Sequence, residues 1–123
     1  MDGGITEKQF LGQIIDLAHI YHWRVAHFRP AQTKHGWRTA VQADGAGFPD
    51  LVLVRPPKCL FIELKSETGQ LSPKQEQWLR ELSNCLGIAV CVWRPSDFEQ
   101  IVEVLNQKAK IEERESANDN IGV

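Results

Sequence analysis

Asp50-Leu51-Val52-Leu53-Val54-Arg55-Pro56-Pro57-Lys58-Cys59-Leu60-Phe61-Ile62-Glu63-Leu64-Lys65 is the stretch that decides how this chain reads. Two apolar runs flank the connector 55–58, and both carry the residue types that pleated sheets favour. Folded as an antiparallel hairpin centred between Pro56 and Pro57, the stretch sets Asp50 opposite Glu63. Directly opposed residues on paired strands have Cβ atoms roughly 4.5–5.5 Å apart. Side chains alternate faces along a strand, so Lys65 joins Glu63 on the same side. Two carboxylates and a lysine then crowd one end of an apolar surface. Like charges that close repel unless a cation separates them. A divalent metal bound through oxygen resolves the conflict. The plainer alternative is a Glu63–Lys65 ion pair on an exposed edge, worth ~1 kcal/mol or less. The apolar runs around both residues argue against such an edge.

Working outward, the segment before the hairpin opens on a helix. Thr6 is a good N-cap, Gln9 completes a capping box, and Ile5 and Phe10 have the spacing of a hydrophobic staple. Phe10, Leu11, Ile14, Leu17, Ala18 and Tyr21 form its apolar stripe. A short strand over residues 24–28 follows. Residues 29–48 contain Pro30, Gly36, Gly45 and Gly47 and read as a long loop with a brief strand near residues 37–41. A loop of that length in a small domain usually has a function. Both faces of the hairpin are apolar, so the sheet is expected to be covered on both sides.

After the hairpin, Ser72 caps a helix running to about Leu86, with Pro73 at its first position and Gly87 at its end. Trp78, Leu79, Leu82, Cys85 and Leu86 are its expected buried stripe. Residues 88–93 are uniformly apolar and read as an interior strand. It is reached through a helix, which predicts a parallel pairing by a right-handed crossover. A last amphipathic helix spans about residues 97–106, with Phe98, Ile101, Val102 and Leu105 inward. The predicted fold class is α/β in the order α-β-β-β-α-β-α. The predicted domain covers residues 1–107, followed by a polar tail, 108–123, expected to be disordered.

The chain of 123 residues supports one domain, and its 42% hydrophobic and 24% charged content suits an ordinary globular protein. No apolar run approaches the ~20 residues of a membrane span, and the start Met1-Asp2-Gly3-Gly4 predicts no secretory signal. Cys59, Cys85 and Cys91 lie in apolar stretches without CxxC spacing. They read as small buried hydrophobes of a reducing, intracellular compartment. The net charge is −2, yet no acidic residue occurs between Asp16 and Asp44, an interval holding all four histidines. Its Lys34, His35, Trp37 and Arg38 are the candidate nucleic-acid contacts, pairing positive charge with a ring able to stack on bases. His19 and His22 are spaced for a metal, but no partner completes a set. Glu67 reads as solvated surface.

Pro49-Asp50 followed by Glu63-Leu64-Lys65 within this element order resembles the PD-(D/E)xK nuclease superfamily. The flanking Gly47-Phe48-Pro49-Asp50, the helix start Leu71-Ser72-Pro73-Lys74-Gln75 and the closing Val92-Trp93-Arg94-Pro95 are similar to the VRR-NUC family, in particular its small phage-type, stand-alone members. The resemblance runs from about Thr6 to Leu105. It implies a restriction-endonuclease-like core, a mixed β-sheet flanked by helices. It implies a metal-dependent endodeoxyribonuclease using Mg²⁺ or Mn²⁺, with Asp50, Glu63, the Leu64 backbone carbonyl and a first-helix acid, Glu7, as metal ligands. It implies catalytic roles for Asp50, Glu63, Lys65, Gln75 and Glu7, and no small-molecule cofactor. Glu7 has a second reading, as a first-turn acid complementing the helix dipole. Gln75 also has one, as the partner of Ser72 in a capping box. The resemblance further implies DNA as partner, including branched DNA such as Holliday junctions, a homodimer, and a bacterial-cytoplasm or phage setting. A nuclease-fold module that binds nucleic acid without turnover is the alternative, although intact Asp50, Glu63 and Lys65 count against it.

Overall fold

A computed structural model of the chain describes residues 4–28, 31–33, 36–38 and 42–107, with 31–33 and 36–38 described by backbone alone. The predicted tail 108–123 lies outside the described residues. The elements are α1 (Glu7–Ile20), β1 (Arg24–His27), β2 (Ala31–Thr33), β3 (Gly36–Arg38), β4 (Leu51–Arg55), β5 (Lys58–Leu64), α2 (Pro73–Ser83), β6 (Ala89–Trp93) and α3 (Phe98–Leu105). The fold is α/β, a mixed four-stranded sheet in the order β1-β4-β5-β6 with flanking helices. The hairpin forms in the expected register, Leu51 pairing with Ile62, Leu53 with Leu60 and Arg55 with Lys58. β1 joins β4 antiparallel, and β6 joins β5 parallel, with α2 in the crossover that parallel strands need.

One sheet face is sealed. Leu51, Leu53, Leu60, Ile62 and Leu64 are buried there with Phe10, Ile14 and Ala18 of α1 and Ile101 and Leu105 of α3. α1 starts with both capping-box bonds made, Gln9 N–H to Thr6 Oγ1 at 3.0 Å and Thr6 N–H to Gln9 Oε1 at 2.9 Å. Arg55 locks the far end of this layer. Its guanidinium donates to the carbonyls of Tyr21, Leu105 and Gln107, each at 2.9 Å. It also stacks over Trp23, 4.6 Å from the ring centre. It thereby satisfies carbonyls that the ends of α1 and α3 leave open.

The opposite face is covered only in part. Phe48 is its hub, meeting Phe28, Phe61 and Trp78 edge-to-face with centroids 5.8, 5.9 and 5.0 Å away. Val52, Val54 and Phe61 remain half-buried, so cover on this side falls short of expectation.

Several other expectations are corrected. The segment read as a long loop with one brief strand near residues 37–41 contains two strands among its described residues: β3 overlaps the expected one at Trp37 and Arg38, and β2 pairs with it in a separate sheet. β6 is an edge strand with only Trp93 buried, because the sheet ends there. α2 stops at Ser83, and none of its residues is fully buried. Ser83 Oγ and Asn84 Nδ2 both donate to the Arg80 carbonyl, at 2.7 and 3.1 Å, which ends the backbone ladder early. Leu86 lies past that end and is 99% exposed. Cys85 is also exposed, and Cys59 and Cys91 are only half-buried. Phe98 is 39% exposed, and Val104 packs on the core instead.

Candidate active site

Asp50, Glu63 and Lys65 converge at the end of β5 on the α2 side of the sheet. The hairpin register sets Asp50 one step beyond the Leu51–Ile62 pair. There its Oδ2 accepts the Leu64 N–H at 3.1 Å, and its carbonyl accepts the Phe28 N–H at 3.1 Å. Pro49 before it is fully buried, which fixes the entry of the strand.

Glu63 is 2% exposed and is the one buried charged residue among those described. Its Oε2 accepts from Gln75 Nε2 at 3.1 Å and lies 3.9 Å from Lys65 Nζ. Its Oε1 is buried with no hydrogen-bond partner. Burial first, and then the charge of the facing Asp50 carboxyl and a hydrogen bond with it, push the Glu63 carboxyl up from 4.5 to about 8, with Lys65 acting in the opposite direction. Glu7, exposed in the first turn of α1, adds to the upward push through its charge.

Gln75 is held as a second strut. Its Oε1 accepts from Ser72 N–H at 2.9 Å, and its own N–H donates to Ser72 Oγ at 3.2 Å. Both readings of Gln75 therefore hold, since one end of the amide caps α2 and the other reaches Glu63. Gly47 sets the distance between α2 and the Asp50 loop. Its φ is +86°, and a Cβ there would sit 2.8 Å from the Lys74 backbone and 2.9 Å from Gln75 N. Only glycine combines that backbone conformation with that approach. Trp78 Nε1 ties α2 to the same loop through the carbonyls of Asp44 and Ala46, at 3.0 and 3.2 Å.

The donor set suits a hard cation. Asp50 and Glu63 bring two carboxylates, which supply oxygens only. A buried carboxylate oxygen without a partner leaves an uncompensated position that a cation would fill. Among the described residues no three His, Cys, Asp or Glu side chains group to hold a metal. Among those residues, then, Glu7 does not complete a three-acid cluster with Asp50 and Glu63, and His19 and His22 belong to no such group.

Of the proposed nucleic-acid contacts, Lys34 and His35 lie outside the described residues, while Trp37 and Arg38 fall on β3. Two structural roles escaped the sequence reading. Gly47 gave a signal in its place between Ala46 and Phe48. Arg94, which binds the turn after β5, gave none beyond its neighbours Trp93 and Pro95. Glu67 is exposed, as expected, yet accepts the Ser96 N–H at 2.6 Å.

The family model of the VRR-NUC domain matches residues 18–97, a span that contains Asp50, Glu63, Lys65 and Gln75 and begins after Glu7. A search of curated protein sequences found no match.

Proposed function

Because the chain belongs to the VRR-NUC family, within the PD-(D/E)xK nuclease superfamily, we propose that it is a Mg²⁺- or Mn²⁺-dependent endonuclease that hydrolyses DNA phosphodiesters. The observation that carries this reading is the buried, unpartnered Oε1 of Glu63 beside Asp50. Asp50, Glu63 and the Leu64 carbonyl would hold the cation, with Glu7 at the rim. A cation there supplies Lewis-acid polarisation of a phosphate oxygen and eases deprotonation of a water.

This chain's own residues do the rest. Gln75 and Lys65 engage Oε2 of Glu63 and so leave Oε1 as its ligand oxygen. Lys65, with its side chain 15% exposed, brings a positive charge to the rim of the site. There it orients the attacking water and offsets the charge that builds on the phosphoryl oxygens. The basic residues Lys34, His35 and Arg38 would engage the strand beside the scissile phosphate, with the Trp37 ring stacking on a base.

We favour branched DNA such as four-way junctions as substrate, cut by a homodimer. A two-fold pair of sites suits paired incisions on such a junction.

The test is a panel of linear, flap and junction DNA incubated with Mg²⁺ or Mn²⁺. Junction cleavage by the wild-type chain, abolished by Asp50→Asn and by Lys65→Ala while binding persists, is the expected result. An intact panel with both metals rejects catalysis, and retained junction affinity would then assign the chain as a binding module.

A further inference from the structure

The turn that follows β5 is held by the side chain of Arg94, the residue just past the end of β6. Arg94 Nη1 donates to the carbonyls of Ser66 at 2.6 Å and Gly69 at 2.8 Å, with a longer contact to Glu67 O at 3.3 Å. The tie is returned from the other side. Glu67 Oε1 accepts the Ser96 N–H at 2.6 Å, and Asp97 Oδ2 accepts the Arg94 N–H at 2.9 Å. A guanidinium is always charged and rigidly planar, so it fixes the carbonyls it binds.

That turn is part of the wall around Lys65. A Cβ built on Gly69 would meet Lys65 Cδ at 3.4 Å, so Gly69 faces the lysine stem at that carbon. The Gly69 N–H closes the turn onto Ser66 O at 3.3 Å, and the Lys65 N–H is bound by the Trp93 carbonyl at 3.0 Å. Lysine is a flexible four-carbon arm, and its ammonium holds one place only if the stem is backed. Trp93 and Arg94 thus grip Lys65 twice, by its own backbone and by the turn against its side chain.

We propose that Arg94 is a positioning residue for Lys65, acting through the carbonyls of Ser66 and Gly69 without touching substrate. The catalytic half of this proposal rests on the nuclease reading above. The structural half does not.

Two measurements on Arg94→Ala, Arg94→Lys and Glu67→Ala separate them. The first is the Lys65 Cε–Hε signal in ¹³C-lysine-labelled protein, assigned by its loss in Lys65→Met. In the wild type the two Hε protons are resolved. In Arg94→Ala they collapse to the averaged position of a free lysine, while the melting temperature and the remaining lysine signals identify the variant as folded. Glu67→Ala, at an exposed position, averages them partly and guards against Arg94→Ala failing to fold. The second measurement is steady-state cleavage. Arg94→Ala lowers kcat roughly 10²-fold with KM nearly unchanged, and Arg94→Lys restores part of the loss. Resolved Hε protons in both alanine variants overturn the proposal whether or not the protein cleaves DNA. A raised KM at constant kcat also overturns it, since Arg94 would then be a DNA contact. A wild type that cleaves nothing removes the nuclease reading alone, and the lysine signal still decides the positioning role.

Discussion

Gln75 and Glu63 share one amide-to-carboxylate bond of 3.1 Å between α2 and β5, and the same amide caps α2 through Ser72. The start of the helix and the buried acid are therefore one mechanical unit. Gln75→Ala should destabilise the chain by ~1 kcal/mol through the lost cap. It should also reduce cleavage about 10–100-fold, as loss of a partner that orients a ligand does. Gln75→Glu keeps a capping acceptor but sets a like charge against Glu63, so only the cap's share of the stability should recover while cleavage stays low. Thermal melts beside cleavage assays read the two effects, and full activity in Gln75→Glu would refute the coupling.

The raised Glu63 carboxyl gives a signed pH dependence. Its ordinary value is 4.5 and its folded value is about 8. Between these values the folded chain keeps a proton that the unfolded chain has released. Metal-free stability should therefore be highest at the acid end of that window and decline as pH rises through about 8. Saturating Mn²⁺ should raise the melting temperature and flatten the decline, because the cation takes the place of the proton. Calorimetric melts across the window check this, and a metal-free melting temperature that climbs with pH would contradict it.

Asp50→Asn removes a facing charge and a proposed metal ligand together. Mn²⁺ binding measured by calorimetry should weaken at least tenfold, and cleavage should be lost. Glu63 should also titrate closer to its ordinary range, since Asp50 is one cause of its shift. Its side-chain carboxyl signal in carbon NMR reports that change directly.

Gly47→Ala tests the spacing between the Asp50 loop and α2. Its positive φ and the 2.8 Å approach to Lys74 predict a loss on the order of 1–3 kcal/mol. Urea midpoints measure it. An unchanged midpoint would mean that the loop relaxes away from α2 without cost.

Lys34→Ala and Arg38→Ala should each weaken DNA binding and lower the slope of log affinity against log salt by about 1. Identical affinity at low salt in both variants would remove this segment from the DNA surface.

Much of the site was legible because hairpin register is a local property. Once Pro56 and Pro57 fix the turn, the count back to Asp50 and forward to Glu63 follows, and strand alternation puts Lys65 on the same side. The capping pairs Thr6–Gln9 and Ser72–Gln75 were legible for the same reason, since each spans three residues. Errors gathered where burial depends on distant partners. The uniform apolarity of residues 88–93 suggests an interior strand, yet position in the sheet makes β6 an edge. Trp78, Leu79 and Leu82 have helical spacing, but nothing in spacing says how far the far side of α2 is left open.

The sequence by itself determined the hairpin, its register and the acids that register opposes, because these follow from backbone geometry over short chain distances. Only the tertiary structure decided that Glu63 keeps one oxygen without a partner, that Gly47 must admit the first turn of α2, and that Arg94 braces the turn behind Lys65. Each of those depends on groups far apart along the chain, whose approach is set by how the helices pack on the sheet.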